Sequence, residues 1–327
     1  MPCTRIIGTG SYAPAKVLTN ADVEKLVETS DEWIRTRTGI SERRITTEDE
    51  ATSDLAYQAS LRALEAASVD PGDLDMILVA TITPDMPFPS TACILQDRLK
   101  ARRTAALDIS AACSGFVYGL AVADGLLGLG SMRTVLLVGA ESLTKIVNWK
   151  DRNTCVLFGD GAGAVVLRAG EGERGILSTH LFADGAKGSL LTMPGGGSRH
   201  PLSQRALDEG LVAIQMANGN EVFKVAVRSM EDAALTVLKH NHLDVGDVDL
   251  MIPHQANLRI IDAVRQRLGL SEDRVCVNVQ RFGNTSAASI PLALDEAVRG
   301  GRVKAGDLIL LCACGGGLTW GSALIRW

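Results

Sequence analysis

Val69-Asp70-Pro71-Gly72-Asp73-Leu74-Asp75-Met76-Ile77-Leu78-Val79-Ala80 is echoed by Leu243-Asp244-Val245-Gly246-Asp247-Val248-Asp249-Leu250-Met251-Ile252-Pro253-His254, 174 residues further on. Each copy is an Asp-x-Gly-Asp turn running into an uninterrupted apolar stretch. Outward from it, Val135-Leu136-Leu137-Val138-Gly139-Ala140 pairs with Leu308-Ile309-Leu310-Leu311-Cys312-Ala313 at an offset of 173. Gly163-Ala164-Val165-Val166-Leu167-Arg168 resembles Gly321-Ser322-Ala323-Leu324-Ile325-Arg326 at 158, which places extra residues of the first half between Leu143 and Asp160. Helical patterns over 52–67 and 221–239 precede the repeated strands. Those strands are apolar throughout rather than alternating, as when both faces of a sheet are covered. The order helix, turn, strand, helix, strand, closing pair occurs twice. It predicts an α/β chain of two fused halves, residues 1–172 and 173–327, related by a pseudo-twofold axis.

The chain has 327 residues, 46% hydrophobic and 22% charged, within the range of globular proteins. No apolar run is long enough to span a bilayer, so no membrane insertion is expected. Met1–Gly10 passes directly into a strand-like segment, which predicts no secretory leader and a cytoplasmic location. A net charge of −5 and 4% aromatic residues argue against nucleic-acid binding. The seven cysteines form neither a disulfide ladder nor a CxxC pair. Cys312-Ala313-Cys314 has no nearby ligand partners, so no metal site is expected.

Cys113 stands in Leu107-Asp108-Ile109-Ser110-Ala111-Ala112-Cys113-Ser114-Gly115-Phe116, where the pattern predicts a short strand running into an apolar, small-residue helix. A thiol on the first turn of that helix would feel the positive end of its dipole, which favours thiolate. A buried structural cysteine is the alternative. His254 follows the strand 249–252 and is pinned by Pro253. Asn284, in Phe282-Gly283-Asn284-Thr285-Ser286, is read as following a strand over 275–280 and preceding a helix over 287–299. It fits either a site residue or a helix cap. All three would then leave the carboxyl ends of strands, where sites in α/β sheets gather. A Cys–His–Asn set serves two chemistries. In a hydrolase, His deprotonates Cys and water attacks the acyl-enzyme. In a decarboxylating condensing enzyme, His and Asn donate hydrogen bonds to an enolate.

The ordered motifs go further. Ile7-Gly8-Thr9-Gly10-Ser11-Tyr12, Thr29-Ser30-Asp31-Glu32-Trp33-Ile34, Arg37-Thr38-Gly39-Ile40, Ala112-Cys113-Ser114-Gly115 and Phe158-Gly159-Asp160-Gly161-Ala162-Gly163 occur in sequence. His254-Gln255-Ala256-Asn257-Leu258-Arg259, Gly283-Asn284-Thr285-Ser286 and Gly315-Gly316-Gly317-Leu318-Thr319-Trp320-Gly321-Ser322 complete the set. Over nearly its whole length the chain resembles the β-ketoacyl-acyl-carrier-protein synthase III family, thiolase-fold enzymes that start type II fatty-acid synthesis.

The resemblance implies a layered αβαβα thiolase-like fold and a homodimer. It implies condensation of a short acyl-CoA primer with malonyl-acyl-carrier protein, with acyl-CoA as substrate and no cofactor. Cys113 would carry the acyl group, His254 and Asn284 would stabilise the enolate, and the N–H groups of Cys113 and Gly316 would form the oxyanion hole. Trp33, Arg37, Arg152, Asn220, Phe223, Ala256 and Asn257 would bind CoA. Lys224, Arg259, Arg265 and Arg267 would meet the acidic carrier protein. Phe88, Leu143, Phe158 and Cys314 would shape the acyl pocket, Phe88 from across the dimer interface. Chain-elongating relatives would carry His at Asn284, and a biosynthetic thiolase a base cysteine at Ala313. Phe88 argues for a short primer, while Cys314, in place of the Phe that relatives carry, argues for more room. A synthase of a secondary pathway with a different primer, and a cysteine thioesterase, are the competing readings.

Overall fold

The computed structural model of the chain describes residues 2–327. The first sheet contains β1 (Pro2–Tyr12), β2 (Met76–Ala80), β3 (Ala105–Ile109), β4 (Thr134–Ser142) and β5 (Asp160–Glu171), in the order β1-β5-β4-β2-β3. The second contains β6 (Gly175–Ala183), β7 (Leu250–Pro253), β8 (Leu308–Gly315) and β9 (Thr319–Arg326), in the order β7-β8-β9-β6. In each sheet one parallel pair (β2 with β4, β7 with β8) is followed by two antiparallel pairings, and the first sheet adds β3 parallel to β2 at its edge.

The register makes the repeat quantitative. Met76 faces Val135 and Leu250 faces Ile309, so both strands recur after 174 residues. The offset of 173 expected for β4 and β8 is therefore one residue short, a slip that a uniformly apolar run does not reveal. Gly139 faces Gly163 and Ala313 faces Gly321, which reproduces the offset of 158 for the closing strands.

Five layers follow from which face each strand residue uses. The principal helices are α1 (Asp31–Thr38), α2 (Thr52–Ala67), α3 (Thr91–Arg98), α4 (Gly115–Gly128), α5 (Gly219–His240), α6 (Leu258–Leu268) and α7 (Ser289–Arg299). Ile77, Val79, Leu136 and Val138 pack outward on α2 and α3. Met76, Leu78, Val135 and Leu137 turn inward onto α4 and α7, which also meet Ile252, Ile309 and Leu311 of the second sheet. Met251, Leu310, Cys312 and Leu324 cover α5 and α6 on the far side. Strand residues alternate between two faces that are both buried, so an apolar residue is needed at every position.

Two strand readings need correction. β3 is an edge strand rather than a covered one, and its Leu107 is 40% exposed. Residues 275–280 form no strand: Val275 makes one isolated bridge to Met251, and the chain continues into the helical turn Val279–Phe282. Side chains take over the backbone partners there. Gln255 Oε1 accepts from the amides of Asn278 and Val279, and Arg302 donates to the carbonyls of Asp273 and Val275.

Candidate active site

Cys113 lies in a one-turn 3₁₀ helix, Ala112–Ser114, that leads into α4. Its counterpart after 174 residues is the 3₁₀ turn Ser286–Ala288, which leads into α7. Both turns begin on a left-handed residue, Ala112 at φ 46° and Ser286 at φ 49°. A non-glycine residue holds that conformation only where its surroundings impose it. Around Cys113 they do: Ser114 Oγ donates to the Thr319 carbonyl at 2.8 Å, and Thr319 Oγ1 donates to the Ala111 carbonyl at 2.9 Å. Gly315 closes the other side, since a Cβ there would stand 2.6 Å from the Cys113 nitrogen.

The helix terminus does not make Cys113 a thiolate at rest. The residue is 6% exposed, and burial pushes its thiol up to about 12. Loss of hydration outweighs the dipole, so the resting group is S–H.

His254 is also buried, and burial holds its imidazole down at about 3, so it is neutral. Its Nδ1 lies 2.7 Å from Ser289 Oγ, which itself accepts from the Gln255 amide at 3.3 Å. When Ser289 Oγ donates its proton to Nδ1, the proton of the neutral His254 ring sits on Nε2. Asn284 reconciles its two readings. Its Oδ1 accepts from the Ser286 amide at 2.9 Å, a local cap, which leaves the two Nδ2 protons for the cavity. Asn284 does not leave a strand; it follows the turn Val279–Phe282 and Gly283.

Cys113, His254 and Asn284 share the wall of one cavity of about 360 Å³. Trp33, Arg37, Asn220, Phe223, Ala256, Asn257 and Arg259 line it too, as do Phe158 and Cys314. Ser30 caps α1 by accepting from the Trp33 amide, and Asn257 caps α6 by accepting from Ile260, so helix starts place both residues. The guanidinium carbons of Arg37 and Arg152 lie 5.1 and 4.8 Å from the Trp33 ring, and that of Arg259 lies 5.5 Å from Phe223. A second cavity of about 400 Å³ begins at the other side of Cys113. Its walls include Ile82, Leu143, Ile146, Phe158, Leu191, Ile214 and Gly316.

Two expected pocket residues fall elsewhere. Cys314 lines the first cavity, not the second, because strand alternation turns Cys312 and Cys314 toward the α5–α6 side and Ala313 toward the centre. Phe88 lines neither cavity and is 84% exposed. Among the four basic residues, Lys224 and Arg259 are exposed. Arg265 is folded against Asp262, Glu272 and the Leu270 carbonyl, and Arg267 pairs with Glu231 at 2.6 Å. Sequence reasoning missed Ser289, Ser286 and Glu141. Glu141 carried a signal, as the one charged residue in the apolar run 134–142.

A family model described as 3-Oxoacyl-[acyl-carrier-protein (ACP)] synthase III matches residues 107–185, and its C-terminal companion matches 238–327. The β-ketoacyl-[acyl-carrier-protein] synthase III of Caldanaerobacter subterraneus subsp. tengcongensis is 58% identical over 322 residues, 98% of this chain and 97% of that protein. That of Xanthomonas campestris pv. campestris (strain ATCC 33913) is 59% identical over 324 residues, 99% of this chain and 98% of that protein. The crystal structure of 3-oxoacyl-[acyl-carrier-protein] synthase III from Aquifex aeolicus VF5 superposes with a TM-score of 0.92 at 52% identity, covering 99% of this chain and all of that one. The architecture is the thiolase fold, and the protein is an acyltransferase of the condensing class. More narrowly, the chain belongs to the β-ketoacyl-acyl-carrier-protein synthase III family.

Proposed function

We propose that Cys113 takes a short acyl group from acyl-CoA, and that His254 and Asn284 then generate the carbanion that attacks it. The overall reaction is condensation of an acyl primer with malonyl-acyl-carrier protein in fatty-acid synthesis. The observation that carries the assignment of roles is the meeting of two cavities at Cys113, one polar-ended and open to the surface, the other apolar.

The first cavity admits a thioester on its pantetheine arm, past Asn220, Phe223, Ala256 and Asn257, and the second receives the acyl chain. Trp33 stacks on the CoA adenine, with Arg37 and Arg152 toward its phosphates. The Cys113 sulfur attacks the thioester carbonyl, the oxyanion is held by the N–H groups of Cys113 and Gly316, and CoA departs. Malonyl-carrier protein then places its thioester oxygen against His254 Nε2–H and Asn284 Nδ2. Loss of carbon dioxide puts negative charge on that oxygen, and aimed donors in a dry site are worth about 2.7–4 kcal/mol each. A neutral His254 suits this step, because it donates a hydrogen bond without having to give up a proton. The enolate carbon attacks the acyl group and expels Cys113. No cofactor is needed, since the carboxylate itself is the leaving group.

Lys224 and Arg259 form the core of the carrier-protein patch. Phe88, Met86 and the open edge of β3 with Leu107 form a homodimer face, across which Phe88 closes the partner's apolar cavity; all three side chains are exposed in the single chain. Light scattering should find twice the 34.6 kDa chain mass, and a monomer at micromolar concentration would remove this part of the reading. We place the boundary between the two halves near residue 172, between β5 and β6.

The half-reactions separate the roles. Cys113→Ala should form no covalent acyl adduct with acetyl-CoA by intact mass. Asn284→Ala should still acylate but lose malonyl decarboxylation by about 10²- to 10³-fold. An undiminished adduct on Cys113→Ala, or intact decarboxylation in Asn284→Ala, contradicts the assignment.

A further inference from the structure

Glu141 is wholly buried in β4, among eight uncharged neighbours on the strand. A charge so placed needs partners. Its Oε2 has three, accepting from the hydroxyls of Thr81 at 3.2 Å and Thr83 at 2.6 Å and from the Ile82 amide at 3.2 Å. Its Oε1 has none among the described residues, and the buried hydroxyl of Ser286 has none either. Ser286 shares the wall of the second cavity with Cys113, and its Oγ neighbours the Glu141 carboxyl and the Cys113 thiol without a hydrogen bond to either in the resting protein. The backbone leaves no slack here: a Cβ on Gly139, two residues before Glu141, would sit 2.3 Å from the Ala287 carbonyl oxygen. An unpartnered acceptor and an unpartnered donor thus converge on the nucleophile from the far side of the substrate cavity.

We propose that Glu141, acting through Ser286, holds the proton of Cys113 during acyl transfer, so that the two side chains carry a single negative charge between them. The inference rests on Cys113 being the acyl-accepting thiol. As the S–H proton passes to Ser286 Oγ, the Ser286 proton passes to Oε1 of Glu141. The sulfur forms its bond to the primer carbonyl carbon, the bond from that carbon to the CoA sulfur breaks, and the departing CoA thiolate takes up the Ser286 proton as Glu141 returns its own to Ser286 Oγ. The charge then rests on the carboxylate again. In the condensation step Cys113 leaves as thiolate, and one proton from solvent restores the thiol through the same pair.

Glu141 is a positioning residue in this scheme, since it never touches substrate. Burial raises its carboxyl to about 7 and holds His254 down at about 3, so of these two buried groups the carboxylate is the stronger base. The groups facing Glu141 are Thr81, Thr83 and the Ile82 amide from the segment after β2, Ser286 from the turn before α7, and the Cys113 thiol. Asp160 on the neighbouring β5 is occupied by Thr46 and Thr144. At the start of α2, Asp54 is paired with Arg98, and Asp85 is bound by Ser53.

The test is the rate of Cys113 alkylation by iodoacetamide between pH 5.5 and 9.5, read from the mass of the Cys113 peptide. In the wild-type protein the rate should climb about tenfold per pH unit and level off near pH 7, where the carboxylate takes the one charge. Glu141→Gln should match it at pH 6, keep climbing, and exceed it by about a hundredfold at pH 9. A purely structural role would shift the whole curve by a constant factor, and parallel profiles overturn the proposal. So does a wild-type rate that climbs through pH 9 without levelling, a result independent of how well the variant folds. The readout needs no acyl-CoA, so an error in the role of Cys113 would show in the acyl-adduct experiment and not here.

Discussion

His254 shows how burial sets chemistry at the level of one side chain. Its imidazole titrates near 3 in the folded protein against an ordinary value of 6.5, so between those limits the unfolded chain binds more protons than the folded one. The contribution to stability is therefore present at neutral pH and is lost as pH falls from 6.5 toward 3, by about 1.4 kcal/mol per pH unit. Glu141 has the opposite sign: its carboxyl is raised from 4.5 to about 7, so it favours the folded state at low pH and loses that as pH rises. The two slopes oppose each other between pH 4.5 and 6.5, which masks both in the wild-type protein. His254→Gln removes one of them. Urea unfolding at pH 7 and pH 5 should show the variant gaining about 2 kcal/mol on the wild type over that interval. An unchanged difference at the two pH values would mean that His254 is not held neutral by burial.

Among the elements, the two turns before α4 and α7 matter most, and they were only half legible. The apolar helix after Cys113 could be read from its composition. The left-handed Ala112 and Ser286 could not: Thr319 holds the Ala111 carbonyl from across the fold, and the local cap of Asn284 on the Ser286 amide looks in sequence like any Asn before a helix. The same holds for residues 275–280. Their β-branched and apolar pattern suggests a strand, but Gln255 and Arg302 replace the ladder with side-chain hydrogen bonds. The long helix α2 was legible to the residue and α5 to within two residues at its start, since amphipathic periodicity is a local property. Gly315 ties an element to the site. A methyl group there meets the Cys113 nitrogen at 2.6 Å, and backbone cannot yield as a flexible side chain can. Gly315→Ala should slow acyl-adduct formation by at least about a hundredfold, by displacing the nucleophile, and lower stability by about 1–3 kcal/mol. Adduct formation at the wild-type rate in a folded variant would show that the contact is not what fixes Cys113.

For the molecule as a whole, the duplication was the most legible feature, because a shared offset between distant segments survives errors in any one strand. It also located the site. One half supplies the thiol from the turn before α4; the other supplies the two donors, from just after β7 and from just before the matching turn that leads into α7. Which residues are free to meet a partner was not legible. Arg265 and Arg267 read as basic on the helix, yet besides Asp262 of the same helix they are paired with Glu272 of the following loop and Glu231 of α5. Phe88 points out of the single chain, and in the proposed homodimer its contacts belong to a second copy. The central claim is that an acyl group on Cys113 waits for a carbanion instead of water. Acetyl-CoA alone, followed by intact mass and by free CoA released, tests it most directly. The account predicts one acetyl adduct per chain on Cys113 and a single equivalent of CoA, after which release stops. Continuous release of CoA and acetate without malonyl-carrier protein would contradict it and make the protein a thioesterase.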